Sequence, residues 1–172
     1  IDELQLRELE PLARTVSAAL WSPTTGVANP AEVVEALAQR VRDRGGEIQL
    51  GAQVVSAKPG SITVKNGDVI SCGHLINAAG LYADTVAHWF GVGLDYRMLP
   101  FKGLYWYGNW PVDTLQRHIY PVPDSRNPFL GVHLTVTVNG RVKIGPTAIP
   151  SLWREDYGVV SGFNAREFGG VA

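Results

Sequence analysis

Cysteine is almost missing from this sequence: Cys72 is the only one in 172 residues. A single thiol excludes an internal disulfide and any zinc or iron–sulfur site built from several thiolates. Cys72 lies between Ser71 and Gly73 at the end of an expected strand, which suits a structural residue. Excess positive charge is missing too: 15 Lys and Arg stand against 16 Asp and Glu. Phosphate binding needs a basic face, so no nucleic acid is expected as a partner, and nothing favours an anionic membrane surface. No apolar run approaches the ~20 residues of a membrane-spanning helix. The N-terminus, Ile1-Asp2-Glu3-Leu4, lacks the basic and apolar regions of a secretory signal, and a cytoplasmic location is expected. His74, His88 and His118 have no spacing that suggests a metal site. The chain opens on Ile1 rather than Met and closes on Gly169-Gly170-Val171-Ala172 without an evident stop, so an internal piece of a longer protein is expected.

The residues that are present suffice for a folded core, being 45% hydrophobic and 18% charged. Leu4, Leu6, Leu9 and Leu12 form a short amphipathic stretch interrupted by Pro11. The strongest helix signal follows the loop Ser22-Pro23-Thr24-Thr25-Gly26. Asn29 is placed as N-cap and Pro30 as first helical residue. Val33, Val34, Leu37, Ala38 and Val41 then make an apolar stripe, and Gly45-Gly46 supplies the stop. Short strands are expected at 47–50 and 53–57. Asn66-Gly67 between two β-prone runs predicts a type I′ hairpin. His74 to Asn77 reads as a buried strand entering Ala78-Ala79-Gly80, followed by a helix over 81–90. From Leu94 the texture becomes aromatic-rich strands with Pro and Gly. Leu104 to Tyr107 is one such strand, and Phe129 to Val138 turns at Asn139-Gly140 into Arg141 to Ile144.

A buried strand that ends in small residues and opens a helix lets backbone N–H groups approach a cofactor closely, because no branched Cβ holds the ligand off. Alone, Asn77-Ala78-Ala79-Gly80 fits a tight packing turn equally well. Extended to Ile76-Asn77-Ala78-Ala79-Gly80-Leu81-Tyr82-Ala83-Asp84, it resembles a cofactor-contacting motif of the FAD-dependent D-amino-acid oxidase superfamily. Further stretches narrow the likeness. They are Ser22 to Gly26, Pro100-Phe101-Lys102-Gly103-Leu104-Tyr105, Ile119-Tyr120-Pro121-Val122-Pro123-Asp124, Phe129-Leu130-Gly131-Val132-His133-Leu134 and Ile144-Gly145-Pro146-Thr147-Ala148. The series resembles the L-2-hydroxyglutarate oxidase/dehydrogenase branch through nearly the whole chain.

The resemblance implies an α+β fold, with a partial FAD-binding, Rossmann-like domain and a mixed or antiparallel substrate-binding sheet. The expected division is a lead-in segment over 1–20, partial FAD domain over 21–93 and incomplete substrate domain over 94–172. It also implies FAD in the full-length protein, oxidation of a small 2-hydroxy acid by hydride transfer to the flavin, and a peripheral membrane association should the acceptor be a quinone. The Gly-x-Gly-x-x-Gly fingerprint that cradles the FAD pyrophosphate is absent, since Gly91-Val92-Gly93 continues as Leu94-Asp95-Tyr96. The isolated chain is therefore expected to be inactive, to lose FAD and to self-associate through uncovered apolar surface. An amine- or glycerol-3-phosphate-oxidising sibling and a non-catalytic binding module remain as alternatives.

Carried onto matching positions, the resemblance assigns Val54, Val55, Ala79, Gly80 and Leu81 to the cofactor. His133 is the candidate base, because an imidazole titrating near neutrality suits removal of a hydroxyl proton. A hydrogen-bonded sheet histidine is the competing reading. Strand alternation groups His133 with Thr135 and Thr137, opposite Val132, Leu134 and Val136. Lys102, Tyr105 and Tyr120 are candidates for the substrate carboxylates, against ordinary roles as a solvated lysine and packed tyrosines.

Overall fold

The helix ends follow from local chemistry. At α1 (Glu3–Leu9) a capping box closes the first turn: Gln5 N–H donates to Asp2 Oδ1 at 2.9 Å and Asp2 N–H to Gln5 Oε1 at 3.1 Å. At α2 (Pro30–Asp43) the Asn29 side chain accepts from Ala31 N–H at 3.1 Å, as expected, with Pro30 at the first position. Its far end is a Schellman motif. Gly45 N–H donates to Arg42 O at 2.9 Å and Gly46 N–H to Val41 O at 3.0 Å, with Gly45 at φ 78.

The computed structural model describes residues 1–126, 129, 131–158 and 162–171. After α1 and α2 come β1 (Val54–Lys58), β2 (Ser61–Val64), β3 (Val69–Ser71), a 3₁₀ turn at Gly80–Tyr82 and α3 (Ala83–His88). Then follow β4 (Phe101–Lys102), β5 (Trp106–Tyr107), β6 (His133–Val136), β7 (Val142–Gly145), β8 (Ile149–Pro150) and α4 (Ala165–Val171). These elements form two compact units interleaved in sequence, one from Ile1–Gly46 with Gly103–Ile149, the other from Glu47–Lys102 with Pro150–Ala172. The change of texture at residue 94 falls inside the second unit.

In the first unit the sheet order is β5-β7-β6, antiparallel throughout, with Trp106↔Ile144, Tyr107↔Lys143, Leu134↔Ile144 and Thr135↔Lys143 in register. An antiparallel bridge, Ile119↔Leu134, lays residues 118–120 along the outer side of β6. Buried side chains here are Ala13, Leu115, Val142 and the carboxylate of Glu10. The second unit carries the antiparallel sheet β1-β2-β3, with Val64, Ser151 and Trp153 buried.

Several sequence expectations need correction. The hairpin at Asn66-Gly67 is real, but a type I′ turn needs positive φ at both residues. Among the described residues only Asp113 is a non-glycine with positive φ, so Asn66 has a negative φ and Gly67 alone takes φ 97. The result is a tight turn from Val64 to Gly67, in which Gly67 N–H donates to Val64 O and Val64 N–H to Asp68 O. Asn66 braces it by accepting from Asp68 N–H at 3.0 Å. The turn at Asn139-Gly140 repeats the plan, with Gly140 N–H to Thr137 O and Gly140 at φ 74.

Residues 74–77 form no strand, and Ile76 is 89% exposed. An apolar β-prone run becomes a buried strand only when neighbouring strands satisfy its N–H and C=O groups, and no such neighbour is present among the described residues. The four strand pairs of the two three-stranded sheets are antiparallel, so the expected parallel remnant is not among them. Residues 47–50 are likewise not a strand, and the later strands are shorter than expected, at Trp106–Tyr107 and His133–Val136. Leu130, within the expected strand from Phe129, lies outside the described residues.

Candidate functional site

Antiparallel register decides which side chains share a face of the first unit's sheet. Tyr107, Lys143 and Thr135 are aligned across β5, β7 and β6, and His133 is aligned with Gly145. The Ile119↔Leu134 bridge puts Tyr120 beside His133 and His118 beside Thr135. One face thus carries Tyr107, Lys143, Thr135, His133, Tyr120 and His118; the other carries Trp106, Ile144, Val142, Leu134, Val136 and Ile119. The grouping of His133 with Thr135, opposite Leu134 and Val136, is as strand alternation predicts.

On the polar face the rings of Tyr120 and His133 lie 4.6 Å apart, so the structure brings two of the sequence candidates together. His133 Nδ1 is 3.1 Å from the Gly131 carbonyl. A carbonyl oxygen can only accept, so Nδ1 carries the proton and Nε2 keeps its lone pair in the neutral ring. His118 has the opposite tautomer: its Nδ1 accepts from Val136 N–H at 3.0 Å. Burial pushes His118 below its ordinary 6.5, and the charge of a protonated His133 pushes the same way. Tyr105, the third candidate in this unit, has Lys143 Nζ 4.4 Å from its ring centre, while the Arg141 guanidinium lies 5.0 Å from Tyr107. Among the described residues neither Lys143 nor Arg141 is in an ion pair with a carboxylate. Both cations went unnoticed in the sequence, where nothing local distinguishes them from solvated strand residues.

The remaining candidates lie in the second unit. Lys102 Nζ is paired with Asp156 Oδ1 at 2.6 Å, both side chains being largely covered. Val54 and Val55 lie on β1, the edge strand of its sheet, and the register skips Val55 between Val54↔Val64 and Ser56↔Thr63. This bulge leaves Val55 out of the ladder, with its edge open to a ligand. The turn holding Ala79, Gly80 and Leu81 is spanned by Asn77, whose Oδ1 accepts from Ala79 N–H at 3.2 Å and whose Nδ2 donates to Ala83 O at 2.8 Å. Gly80 has φ +56, and the place a Cβ would occupy has no atom within 4 Å. Open space beside a left-handed glycine and the unpaired outer edge of β1 both leave room for a nucleotide cofactor to approach backbone.

Behind that turn is a charged cluster that sequence reasoning missed. Arg154 donates to Leu81 O at 2.8 Å, to Asp84 Oδ2 at 2.6 Å and to Glu167 Oε1 at 3.2 Å. Burial alone would raise the Asp84 pKa, but N–H bonds from Met98 and Thr85 together with Arg154 outweigh it and hold the carboxyl below its ordinary 3.8. Tyr82 donates to Glu155 Oε1 at 2.8 Å. Its pKa is pushed up to about 12 by burial, by that bond, and by the charges of Glu155 and Glu167 against the pull of Arg154. No local motif marks this cluster, because Arg154 and Asp84 are 70 positions apart.

The first unit thus presents a sheet histidine of fixed tautomer, and the second a glycine turn with open space beside it. Residues 1–167 match the DAO family, described as FAD dependent oxidoreductase, and the chain belongs to that family. It is 36% identical over 174 residues to the mitochondrial L-2-hydroxyglutarate dehydrogenase of Caenorhabditis elegans, covering 94% of this chain and 39% of that protein. It is 37% identical over 158 residues to the L-2-hydroxyglutarate dehydrogenase of Indibacter alkaliphilus, covering 89% of this chain and 39% of the relative. The mitochondrial L-2-hydroxyglutarate dehydrogenase of Mus musculus is 35% identical over 173 residues, with 91% and 37% covered. The chain therefore spans about two fifths of the length of these relatives. No helix among the described residues is long and apolar enough to cross a membrane.

Proposed function

We propose that the whole protein oxidises the C2 hydroxyl of a small 2-hydroxy acid, 2-hydroxyglutarate or a close analogue, to the 2-oxo acid. When bound, FAD supplies the acceptor for the hydride from C2. His133 takes the hydroxyl proton on Nε2. The observation that carries this reading is the 3.1 Å contact of Nδ1 with the Gly131 carbonyl, which leaves Nε2 as the basic atom and holds the ring in place. Tyr120, stacked on His133, and Tyr105, under Lys143, are proposed to orient the substrate by phenolic hydrogen bonds to its carboxylates. Lys102 takes the smaller part, since a substrate carboxylate would have to displace Asp156 from its ammonium.

The cofactor assignment draws on the second unit, proposed as a remnant of the Rossmann-like FAD domain. Val54 and Val55 would meet the adenine end through the open edge of β1, and the backbone of Ala79, Gly80 and Leu81 would border the nucleotide beside the empty Gly80 position. The cytoplasm is proposed as the location, although the two animal relatives above are named as mitochondrial.

The test is anaerobic mixing of the full-length protein with L-2-hydroxyglutarate, following bleaching of the flavin band near 450 nm (about, general flavin absorption). Bleaching is expected for the parent. In His133→Asn its rate should fall by roughly 10²–10⁴-fold, the usual worth of a general base. A parent that bleaches with an amine or with glycerol 3-phosphate, and not with 2-hydroxyglutarate, would overturn the substrate assignment. An unchanged rate in His133→Asn would overturn the assignment of the base.

A further inference from the structure

Arg154 uses all three edges of its guanidinium beside the proposed cofactor turn, and the proposed chemistry does not account for it. Its side chain is 17% exposed and those of Asp84 and Glu167 are 11% and 17% exposed. Nε donates to Leu81 O, Nη2 to Asp84 and Nη1 to Glu167. Glu167 accepts also from the Arg154 backbone N–H at 2.8 Å, so arginine and carboxylate are locked together twice. Asp84 is itself held by Met98 N–H at 2.8 Å and Thr85 N–H at 2.7 Å. The guanidinium carbon lies 5.5 Å from the centre of the Tyr82 ring, the residue that closes the 3₁₀ turn.

The turn is therefore gripped from one side. Beside Gly80 the chain offers no atom within 4 Å of where a Cβ would stand. A left-handed glycine with empty space beside it has wide conformational freedom, so its shape depends on the contacts behind it. The Leu81 carbonyl and the Asp84 carboxylate are the two points at which Arg154 supplies them. Arg154 reaches the carbonyl and the two carboxylates from three separate nitrogens, whereas a lysine ammonium would need all three acceptors to converge on one.

We propose that Arg154 is a positioning residue for cofactor binding: by holding Leu81 O and Asp84 it sets the Ala79–Leu81 backbone in the conformation whose open side accepts the flavin nucleotide. This rests on the reading that Ala79–Leu81 borders FAD, and the test separates the two. In the full-length protein, FAD affinity is measured by titrating the apoprotein and following quenching of flavin fluorescence, and the melting temperature of each apoprotein is recorded. Ala79→Val probes the reading itself and should weaken FAD by steric contact. Arg154→Lys should weaken FAD by about tenfold or more, the scale on which losing an orienting partner weakens a bound metal, while the apoprotein melts close to the parent. Arg154→Met with Asp84→Asn should be no worse than Arg154→Met alone, since both remove one clamp. If Ala79→Val weakens FAD and Arg154→Lys binds it like the parent, the turn borders FAD but Arg154 does not position it. If Ala79→Val binds FAD unchanged, the reading of the turn falls and the proposal falls with it. Should Arg154→Met fail to fold, Arg154→Lys decides: an affinity loss that merely follows a loss of melting temperature marks Arg154 as structural and overturns the proposal.

Discussion

A histidine serves as a base only while one ring nitrogen keeps its lone pair, and the two histidines on the polar face settle this differently. His133 directs Nδ1 at a carbonyl and keeps Nε2 free; His118 directs Nδ1 at an N–H and is thereby held neutral. Burial has lowered the His118 pKa below 6.5, so protonation is harder in the folded state than in the unfolded chain. The unfolded chain then binds more protons in that range, and stability rises with pH. The contribution of His118 is thus fully present above the ordinary value and is lost as pH falls through the folded one. Urea titrations of the full-length protein at about pH 7.5 and about pH 5 should show an acid loss that is smaller in His118→Gln. Equal losses in parent and variant would sink the assignment. At this scale the sequence offers His133, Tyr120 and Tyr105 as candidates, since their residue types announce their chemistry. It could not expose Lys143 beside Tyr105 or Arg154 beside Leu81, because those contacts are set by strand register and by chain folding over long separations.

Elements with short-range signals were legible, and those that need partners were not. The stripe Val33, Val34, Leu37 and Val41 remains exposed in α2, so packing does little to hold this helix. Its order rests on the Asn29 cap, Pro30 and the Schellman stop at Gly45-Gly46. Asn29→Ala should therefore cost about 1 kcal/mol, the usual worth of a cap. Amide hydrogen exchange should show that cost in the first turns of α2, with β6 and β7 unchanged. Uniform acceleration across all elements would mean that packing, not capping, holds the helix. Both hairpins were visible because an Asn-Gly pair carries its own turn chemistry, yet the turn formed at Asn66-Gly67 is not the expected type I′. A single glycine in left-handed conformation was enough, and Asn66 kept ordinary backbone while its side chain braced the turn. The run 74–77 shows the converse. Its composition is that of a buried strand, but a strand is completed by backbone partners that the run itself does not contain.

At the scale of the whole molecule, many large apolar side chains among the described residues are left in solvent, among them Leu37, Ile76 and Trp106. Apolar surface on this scale drives association. The isolated 172-residue chain should accordingly run as oligomers in light scattering at tens of micromolar (roughly, where such contacts become populated). It should also purify without flavin colour, since the pyrophosphate-cradling fingerprint is absent. A colourless monomer would remove the self-association claim alone, and a yellow one would remove both.

The sequence by itself determined the family, the ends of α2 and the hairpin positions, because each of these is written in neighbouring residues or in an ordered series of short motifs. The tertiary structure decided which side chains share the His133 face, which edge strand is left open at Val55, and which arginine grips the glycine turn. Those outcomes depend on pairing register and on contacts between residues 54 to 107 positions apart, as in Lys102–Asp156, Arg154–Asp84 and Glu10–Arg117. Local propensity does not encode such separations; they arise only when the chain closes its loops and aligns strands against one another.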